Sequence, residues 1–255
     1  MHLCLDPKKV YKNTSYHKQT KNQWARDDPA FTVLSALFLL VAAVAYAVSF
    51  QVSNPMTFLR VVFGTVLFDF ALVGSVLATL TWAVANRYLR VQSLHSVEQE
   101  VPPAAPAPSL GGHSEPPAPA RPQPPAGPRP RTLTGRDCTA AGQVEWMYAW
   151  DIHCNSFFPL FLALYVAQFF ALPFLMAPGF LPCLASNTLF LAALTYYHYL
   201  TFLGYSALPF VRDAVYFLYP VGALATLYVI SLLLQINCTL LALGMYFSEP
   251  GAATS

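Results

Sequence analysis

Five long apolar runs, from which charged side chains are almost excluded, constrain this chain more than any other feature. The runs are Phe31–Phe50, Val61–Ala85, Phe157–Ala177, Thr188–Leu208 and Ala214–Leu234. The only formally charged residue within them is Asp69. Because a helix rises about 1.5 Å per residue, each run is long enough to cross a hydrocarbon core of about 30 Å. A backbone in lipid must satisfy its own hydrogen bonds, so each run is expected to be a helix.

The composition also favours a membrane protein. Charged residues make up 10% of the chain and apolar residues 56%, whereas an average soluble domain is about 25% charged. The runs lack the alternating polar and apolar pattern of outer-membrane barrel strands. We therefore predict an all-α membrane protein with five transmembrane helices, the first of which also serves as the targeting signal.

The basic residues fall almost entirely on one side of the predicted spans. Those ahead of span one, between spans two and three, or between spans four and five are Lys8, Lys9, Lys12, Lys18, Lys21, Arg26, Arg87, Arg90, Arg121, Arg129, Arg131, Arg136 and Arg212. Arg60 lies on the other side. The positive-inside rule then predicts a cytosolic N-terminus and a lumenal C-terminus.

On this basis the chain divides into six segments. They are a basic cytosolic lead (1–30), spans one and two (31–90), a linker (91–143), an interfacial cytosolic segment (144–156), spans three to five (157–243) and a lumenal tail (244–255). Most prolines lie in the linker, between Pro102 and Pro130, so the linker is expected to be disordered with polyproline-II character.

Asp69 is the first candidate for chemistry inside the membrane. An ionised carboxylate there costs about 2.5–3.5 kcal/mol on insertion scales, so Asp69 is expected to face protein, to be protonated or to line a polar cavity. One interpretation is a proton or cation relay. The other is a protonated acid hydrogen-bonded to another helix, for example through Gln168 or His198. A relay usually needs several acids or bases along a path, which favours the second interpretation.

Other polar residues give weaker indications of chemistry. Asp151 and His153 would point about 200° apart on a helix, so no shared metal ion is expected, and no cofactor is predicted. An intramembrane enzyme would have to use His153 or His198, and a helix-packing role is favoured for His198. Asn237-Cys238-Thr239 is a glycosylation sequon, but it lies so close to span five that modification is not expected.

Four long strings of sequence carry a family resemblance. They are VYKNTSYHKQTKNQWARDDPAF (Val10–Phe31), ATLTWAVANRYL (Ala78–Leu89), VEWMYAWDIHCNSFFPL (Val144–Leu160) and YLTFLGYSALPF (Tyr199–Phe210). These strings closely resemble the Unc-fifty family of eukaryotic multi-pass membrane proteins. The resemblance implies five spans with a cytosolic N-terminus. The Pro-rich linker and the C-terminal tail depart from the family pattern.

The resemblance also implies a function. It implies a non-enzymatic Golgi and early secretory membrane protein that supports protein transport, vesicle-mediated transport and receptor trafficking of selected membrane cargo. In animals the implied cargo is the nicotinic acetylcholine receptor, and fungal relatives associate with exchange factors for Arf GTPases. A location in the endoplasmic reticulum or nuclear inner membrane, and RNA binding, are further properties that the resemblance implies. No catalytic residues transfer from it.

The ordered cytosolic parts are the predicted partner surface. Its candidate residues are Lys18, Lys21, Trp24, Arg26, Trp146, Trp150, Asp151 and His153. Two alternatives stay open: a small proton- or ion-coupled transporter or channel centred on Asp69, and an intramembrane enzyme. The sparse polar residues within the spans argue against both alternatives.

The predicted orientation can be checked with epitope tags. An N-terminal tag should react with antibody when only the plasma membrane is permeabilised, because the basic residues hold that end in the cytosol. A C-terminal tag should react only after internal membranes are opened. A glycan on Asn13, in the sequon Asn13-Thr14-Ser15, would contradict this orientation.

Overall fold

The computed structural model describes residues 24–25, 29–90 and 142–247 of the chain. Within these residues the structure is mostly helical and contains no strand. The helices are α1 (Ala30–Ser49), α2 (Pro55–Leu89), α3 (Trp146–Leu175), α4 (Phe180–Ser206), α5 (Ala214–Leu233) and α6 (Cys238–Phe247). The predictions for the linker, for most of the lead and for the last residues of the tail lie outside the described residues.

Five of the helices, α1 to α5, are long and apolar enough to cross a membrane, which confirms the predicted number of spans. Three of them, α2, α3 and α4, are longer than their apolar runs. Helix α2 begins at Pro55, where the side chain of Asn54 accepts a hydrogen bond from the backbone N–H of Met56 (2.9 Å) and caps the helix. Helix α3 begins at Trp146, so most of the segment predicted to be interfacial is continuous with the third span.

Contacts between helix ends define two faces of the bundle. We call the face that contains the ends at Ala30, Leu89, Trp146 and Ser206 the N-face. There, Arg90 forms an isolated antiparallel bridge with Val211, and the N–H of Arg212 donates to the carbonyl of Leu89 at 2.8 Å. At the opposite face the rings of Phe50 and Phe247 stack with centroids 4.5 Å apart. The charge pattern predicts that the N-face is cytosolic, and this orientation remains a prediction.

The outward surfaces of the spans are apolar. Large exposed hydrophobic residues include Val33, Leu37, Phe63, Leu67, Phe170 and Leu227. Helix α5 lies at the edge of the bundle, with no buried residue between Tyr219 and Leu233. An apolar exterior of this kind suits contact with lipid chains.

Helix α6 follows α5 and packs back against the bundle. Its start is capped by Asn237, whose Oδ1 accepts from the N–H groups of Thr239 (2.9 Å) and Leu240 (3.2 Å). The Nδ2 of Asn237 donates to the carbonyl of Leu175 at 2.7 Å. The side chain of the sequon asparagine is therefore engaged both in a contact with α3 and in the cap of α6.

The α2–α3–α4 packing depends on two glycines. A Cβ at Gly74 on α2 would lie 2.2 Å from Nε2 of His153 on α3, and one at Gly204 on α4 would lie 2.8 Å from Cγ1 of Ile152. Helices in lipid associate through close backbone approach rather than through the hydrophobic effect. These two positions therefore set how near α2 and α4 come to α3.

Substituting Gly74 tests this packing. Gly74→Ala should lower the melting temperature in detergent, because overpacking of a tight interface costs about 1–3 kcal/mol. Gly64→Ala in the same helix is the matched control, since nothing lies within 4 Å of a Cβ at Gly64. His153→Ala should relieve the clash in the double variant. Equal melting temperatures for Gly74→Ala and Gly64→Ala would contradict the close approach of α2 to α3.

Candidate functional site

The first candidate site is a hydrogen-bonded group around the intramembrane carboxylate, here called the Asp69 cluster. Oδ2 of Asp69 on α2 accepts a hydrogen bond from the hydroxyl of Tyr165 on α3 at 2.8 Å. The same oxygen accepts a second hydrogen bond from the hydroxyl of Tyr246 on α6. The carboxylate thus joins three helices, and its cost inside lipid is reduced by two hydroxyl donors.

Two wide helical turns place the cluster. Asp69 lies in a π-helical segment of α2, Thr65–Leu72, and Tyr165 lies in a similar segment of α3, Leu162–Ala167. A π-turn inserts an extra residue into a helix, and such turns are frequent at functional sites. No apolar periodicity in the sequence indicated these turns, so the pairing of Asp69 with Tyr165 was not predicted.

Arg60, at the opposite face, also binds the end of α6 that carries Tyr246. Its Nη2 donates to the backbone carbonyl of Tyr246 at 3.0 Å. That carbonyl belongs to the last turn of α6, where carbonyls without helical partners and the helix dipole attract a cation. The two charged residues in the first half of α2, Arg60 and Asp69, therefore both bind the end of α6.

The hydrogen bonds described for Asp69 come from tyrosines, and not from Gln168 or His198, the predicted partners. Gln168 is buried on α3, and its Oε1 has no hydrogen-bond partner among the described residues. His198 is half-buried on α4 and lies near the backbone of Phe217. The intramembrane acid is thus hydrogen-bonded to other helices, through tyrosines that the sequence pattern did not single out.

His153 lies inside the bundle. It is 3% exposed, its Nδ1 is 2.9 Å from the hydroxyl of Tyr197 on α4, and its ring packs against Gly74. The prediction placed His153 on a cytosolic partner surface, and in the structure it is not accessible there. Within the described part of the chain, no group of three or more His, Cys, Asp or Glu side chains is arranged to hold a metal ion.

The second candidate site is the N-face junction, where the chain before α3 is held against the end of α2. The side-chain amide of Asn86 both accepts from the N–H of Val144 (2.9 Å) and donates to its carbonyl (3.0 Å). The indole N–H of Trp82 donates to the same carbonyl at 2.9 Å. The side chain of Asn86 therefore forms the same pair of hydrogen bonds with the backbone of Val144 that a residue of a neighbouring β-strand would form. These bonds satisfy backbone groups near the membrane boundary.

The lead and the end of α4 join the same junction. The carboxylate of Glu145 accepts from the backbone N–H groups of Trp24 (3.4 Å) and Ala25 (3.3 Å). The hydroxyl of Tyr148 donates to the carbonyl of Gly204 at 2.8 Å. Trp24 is 7% exposed and packs in the core of this face. It is therefore a structural anchor, whereas the prediction had placed it on the partner surface.

Around this core the N-face has an exposed rim of basic and aromatic residues. Its members are Arg87, Tyr88, Trp146, Arg212 and Tyr216. Of these, only Trp146 was among the predicted surface residues; Trp150 and Asp151 are half-buried beside it. Lys18, Lys21 and Arg26 lie outside the described residues. The positions of Arg87 in the last turn of α2 and of Arg212 just before α5 were the available signal for the rim.

These features define a class of protein: a multi-pass helical membrane protein with a half-buried acid in the membrane and an ordered junction at one face. More particularly, the chain belongs to the UNC-50 family, whose family model matches residues 1–247. The resemblance carried by the four strings is thereby confirmed.

The curated relatives agree over nearly the whole chain. The chain is similar to the protein unc-50 homolog of Dictyostelium discoideum, at 41% identity over 96% of this chain and 78% of the relative. It is 37% identical to the protein unc-50 homolog B of Xenopus laevis and 35% identical to the human protein unc-50 homolog, each over 94% of this chain and 75% of the relative. No solved structure matches it.

Replacing Asp69 tests its role as the anchor of α6. Asp69→Leu would leave the hydroxyls of Tyr165 and Tyr246 without their acceptor, at a cost of about 1–3 kcal/mol each. We expect amide hydrogen exchange in residues 238–247 to become faster by about tenfold or more, since about 1.4 kcal/mol is a factor of ten. Asp69→Asn, which keeps an acceptor oxygen, should exchange almost as slowly as the wild type. Unchanged protection in Asp69→Leu would contradict the anchoring role.

Proposed function

We propose that this UNC-50 family protein is a non-enzymatic membrane protein of the Golgi and early secretory pathway. It supports protein transport and the cell-surface delivery of selected membrane cargo, with assembled receptors of the nicotinic acetylcholine type as the cargo class. Its contacts with cytosolic factors are made at the N-face, and its contacts with cargo are made within the membrane.

One observation carries the proposal. The four strings that carry the family resemblance lie far apart in the sequence, yet each supplies residues to the N-face junction. Trp24 comes from the first string, Asn86 from the second, Tyr148 from the third and Gly204 from the fourth. What these strings build together is a fixed junction that holds the exposed rim of one face in place, which suits a docking function better than a catalytic one.

The charge pattern suggests what approaches this surface. The positive-inside rule predicts that the N-face is cytosolic, and Arg87 and Arg212 are exposed there. Basic and aromatic groups at a membrane boundary are complementary to an acidic protein surface held beside anionic lipids. An Arf exchange factor recruited from the cytosol is the partner that the family resemblance implies for such a surface.

A transporter centred on Asp69 is the second candidate function, and one observation favours it. The Asp69 cluster adjoins a cavity into which buried polar groups project, as a relay or an ion site would require. The two functions differ in what they predict for Asp69→Asn. That variant should retain delivery of cargo in the proposed function, and it should abolish proton or ion flux if the protein is a transporter.

The rim arginines provide the test of the proposed function. Cells depleted of the protein are rescued with the wild type, with Arg87→Glu/Arg212→Glu or with Arg87→Lys/Arg212→Lys, and surface and total receptor are measured in each. We expect charge reversal to reduce the surface fraction severalfold, because an acidic partner is repelled, and the lysine variant to rescue like the wild type.

Two controls keep the outcome interpretable. Both variants must reach the same membrane at the same level, and epitope tags must report the same orientation. Full rescue by the charge-reversed protein would contradict docking at the rim. Normal receptor delivery in depleted cells, together with altered ion flux, would overturn the trafficking function itself.

A further inference from the structure

A small cavity, here called the polar cavity after the five polar side chains in its lining, lies beside the Asp69 cluster among α1, α2, α3, α4 and α6. Its volume is about 110 Å³, and its lining includes Tyr46, Thr65, Gln168 and Tyr246. None of the side chains that line it is charged. The cavity is therefore uncharged, with a few hydrogen-bonding groups set in a mostly apolar wall within the membrane part of the protein.

Two of its polar groups have no partner among the described residues. They are the hydroxyl of Tyr46 and Oε1 of Gln168, on side chains that are 7% and 4% exposed. Neither group can reach bulk water, and an unsatisfied buried group costs about 1–3 kcal/mol. A single hydroxyl group placed between them would satisfy both, since it accepts from one and donates to the other.

An apolar groove adjoins this cavity. It has a volume of about 420 Å³, lies between α1 and α3, and shares Tyr46 and Tyr165 with the lining of the polar cavity. The rest of its lining is hydrocarbon, much of it flat aromatic surface from Phe38, Phe158, Phe161, Phe169 and Phe170. Its outer residues, such as Phe170 at 78% exposed, lie open to the surrounding bilayer.

The positions of these two spaces along the membrane normal suit an elongated membrane lipid. At about 1.5 Å per residue, Tyr46 lies about 4–5 Å from the end of α1, near one edge of the hydrocarbon core. The groove extends from there toward the middle of the bilayer, since Phe38 lies two turns further along α1. A ligand with a polar end at Tyr46 and an apolar body along Phe38 and Phe158 would lie parallel to the lipid chains.

The charged residues around the two spaces indicate which kind of polar head the ligand has. Lipid phosphates are recognised by lysine and arginine, and neither lines the cavity or the groove. The nearest charged group is the carboxyl of Asp69, which would repel a phosphate. Arg60, the cation on this face, is bonded to the carbonyl of Tyr246. The head of the ligand is therefore neutral and small.

We propose that the polar cavity and the groove together bind one sterol-type lipid, with its single hydroxyl between Tyr46 and Gln168 and its ring system against the aromatic wall of α1 and α3. Tyr46 and Tyr165 line both spaces and mark where the ligand passes from one to the other. This site is separate from the N-face. A negative result for lipid binding would therefore not contradict the proposed trafficking function, and the reverse also holds.

Photo-crosslinking in vesicles tests the site. The full-length protein is reconstituted in phosphatidylcholine with a photoactivatable, alkyne-bearing cholesterol analogue, and labelled peptides are mapped. We expect labels on α1 and α3 peptides, and at least a fivefold reduction in Gln168→Leu and in Tyr46→Phe. The 3α-hydroxyl epimer of cholesterol should compete much less well than cholesterol, since its hydroxyl points away from the pair.

Matched controls separate this site from ordinary lipid contact. Tyr228→Phe removes a tyrosine hydroxyl that bonds to Thr188 on the far side of α4, and it should label like the wild type. Gln168→Leu breaks no hydrogen bond among the described residues, so its melting temperature without sterol should be no lower than that of the wild type. Equal labelling of the wild type and Gln168→Leu, or equal competition by cholesterol and its 3α-hydroxyl epimer, would overturn the proposal, because the cavity would then hold water alone and the groove ordinary bilayer lipid.

Discussion

The absence of hydrogen-bond partners in the lipid core is the constraint on which this structure depends. Inside a bilayer the hydrophobic effect does not press helices together, so close packing and a few polar contacts must do so. Gly74 and Gly204 provide the close packing at α3. Asp69, through the hydroxyls of Tyr165 and Tyr246, provides a polar contact that joins three helices. A carboxyl group that is costly in lipid thereby becomes a connection that only the assembled bundle can satisfy.

The two faces of the bundle are held together by different kinds of polar contact. At the N-face, side-chain amides and carboxylates pair with the backbone of connecting segments, as Asn86 does with Val144 and Glu145 with Trp24. At the opposite face, a short helix closes the bundle and is held by Asn237 at its start and Arg60 at its end. The first arrangement leaves an exposed basic and aromatic rim, whereas the second encloses a polar cavity.

The number of spans and the family were predictable from the sequence, because apolar length and long strings are properties of continuous segments. The start of α2 at Pro55 was also indicated, since Asn54-Pro55 is a capping pair that needs no tertiary information. The partners of Asp69 were not predictable. They lie 96 and 177 residues away along the chain, and the turns that orient Asp69 and Tyr165 are π-helical. His153 was misplaced for a related reason: a polar residue near a span end is usually exposed, but here Tyr197 and Gly74 enclose it.

The wide turn in α2 also fixes the rotation between the two halves of that helix. Asp69 lies within the turn, while Gly74 and Asn86 lie beyond it and contact α3 and the segment before it. Each residue of a regular helix advances the direction of its side chain by about 100°. Removing one residue from Thr65–Leu72 would let this segment tighten to a regular α-helix, so α2 would stay helical and apolar while the direction of Asp69 would change relative to Gly74 and Asn86. Chain length within this segment is thus as tightly specified as residue identity, although its composition is that of any transmembrane helix.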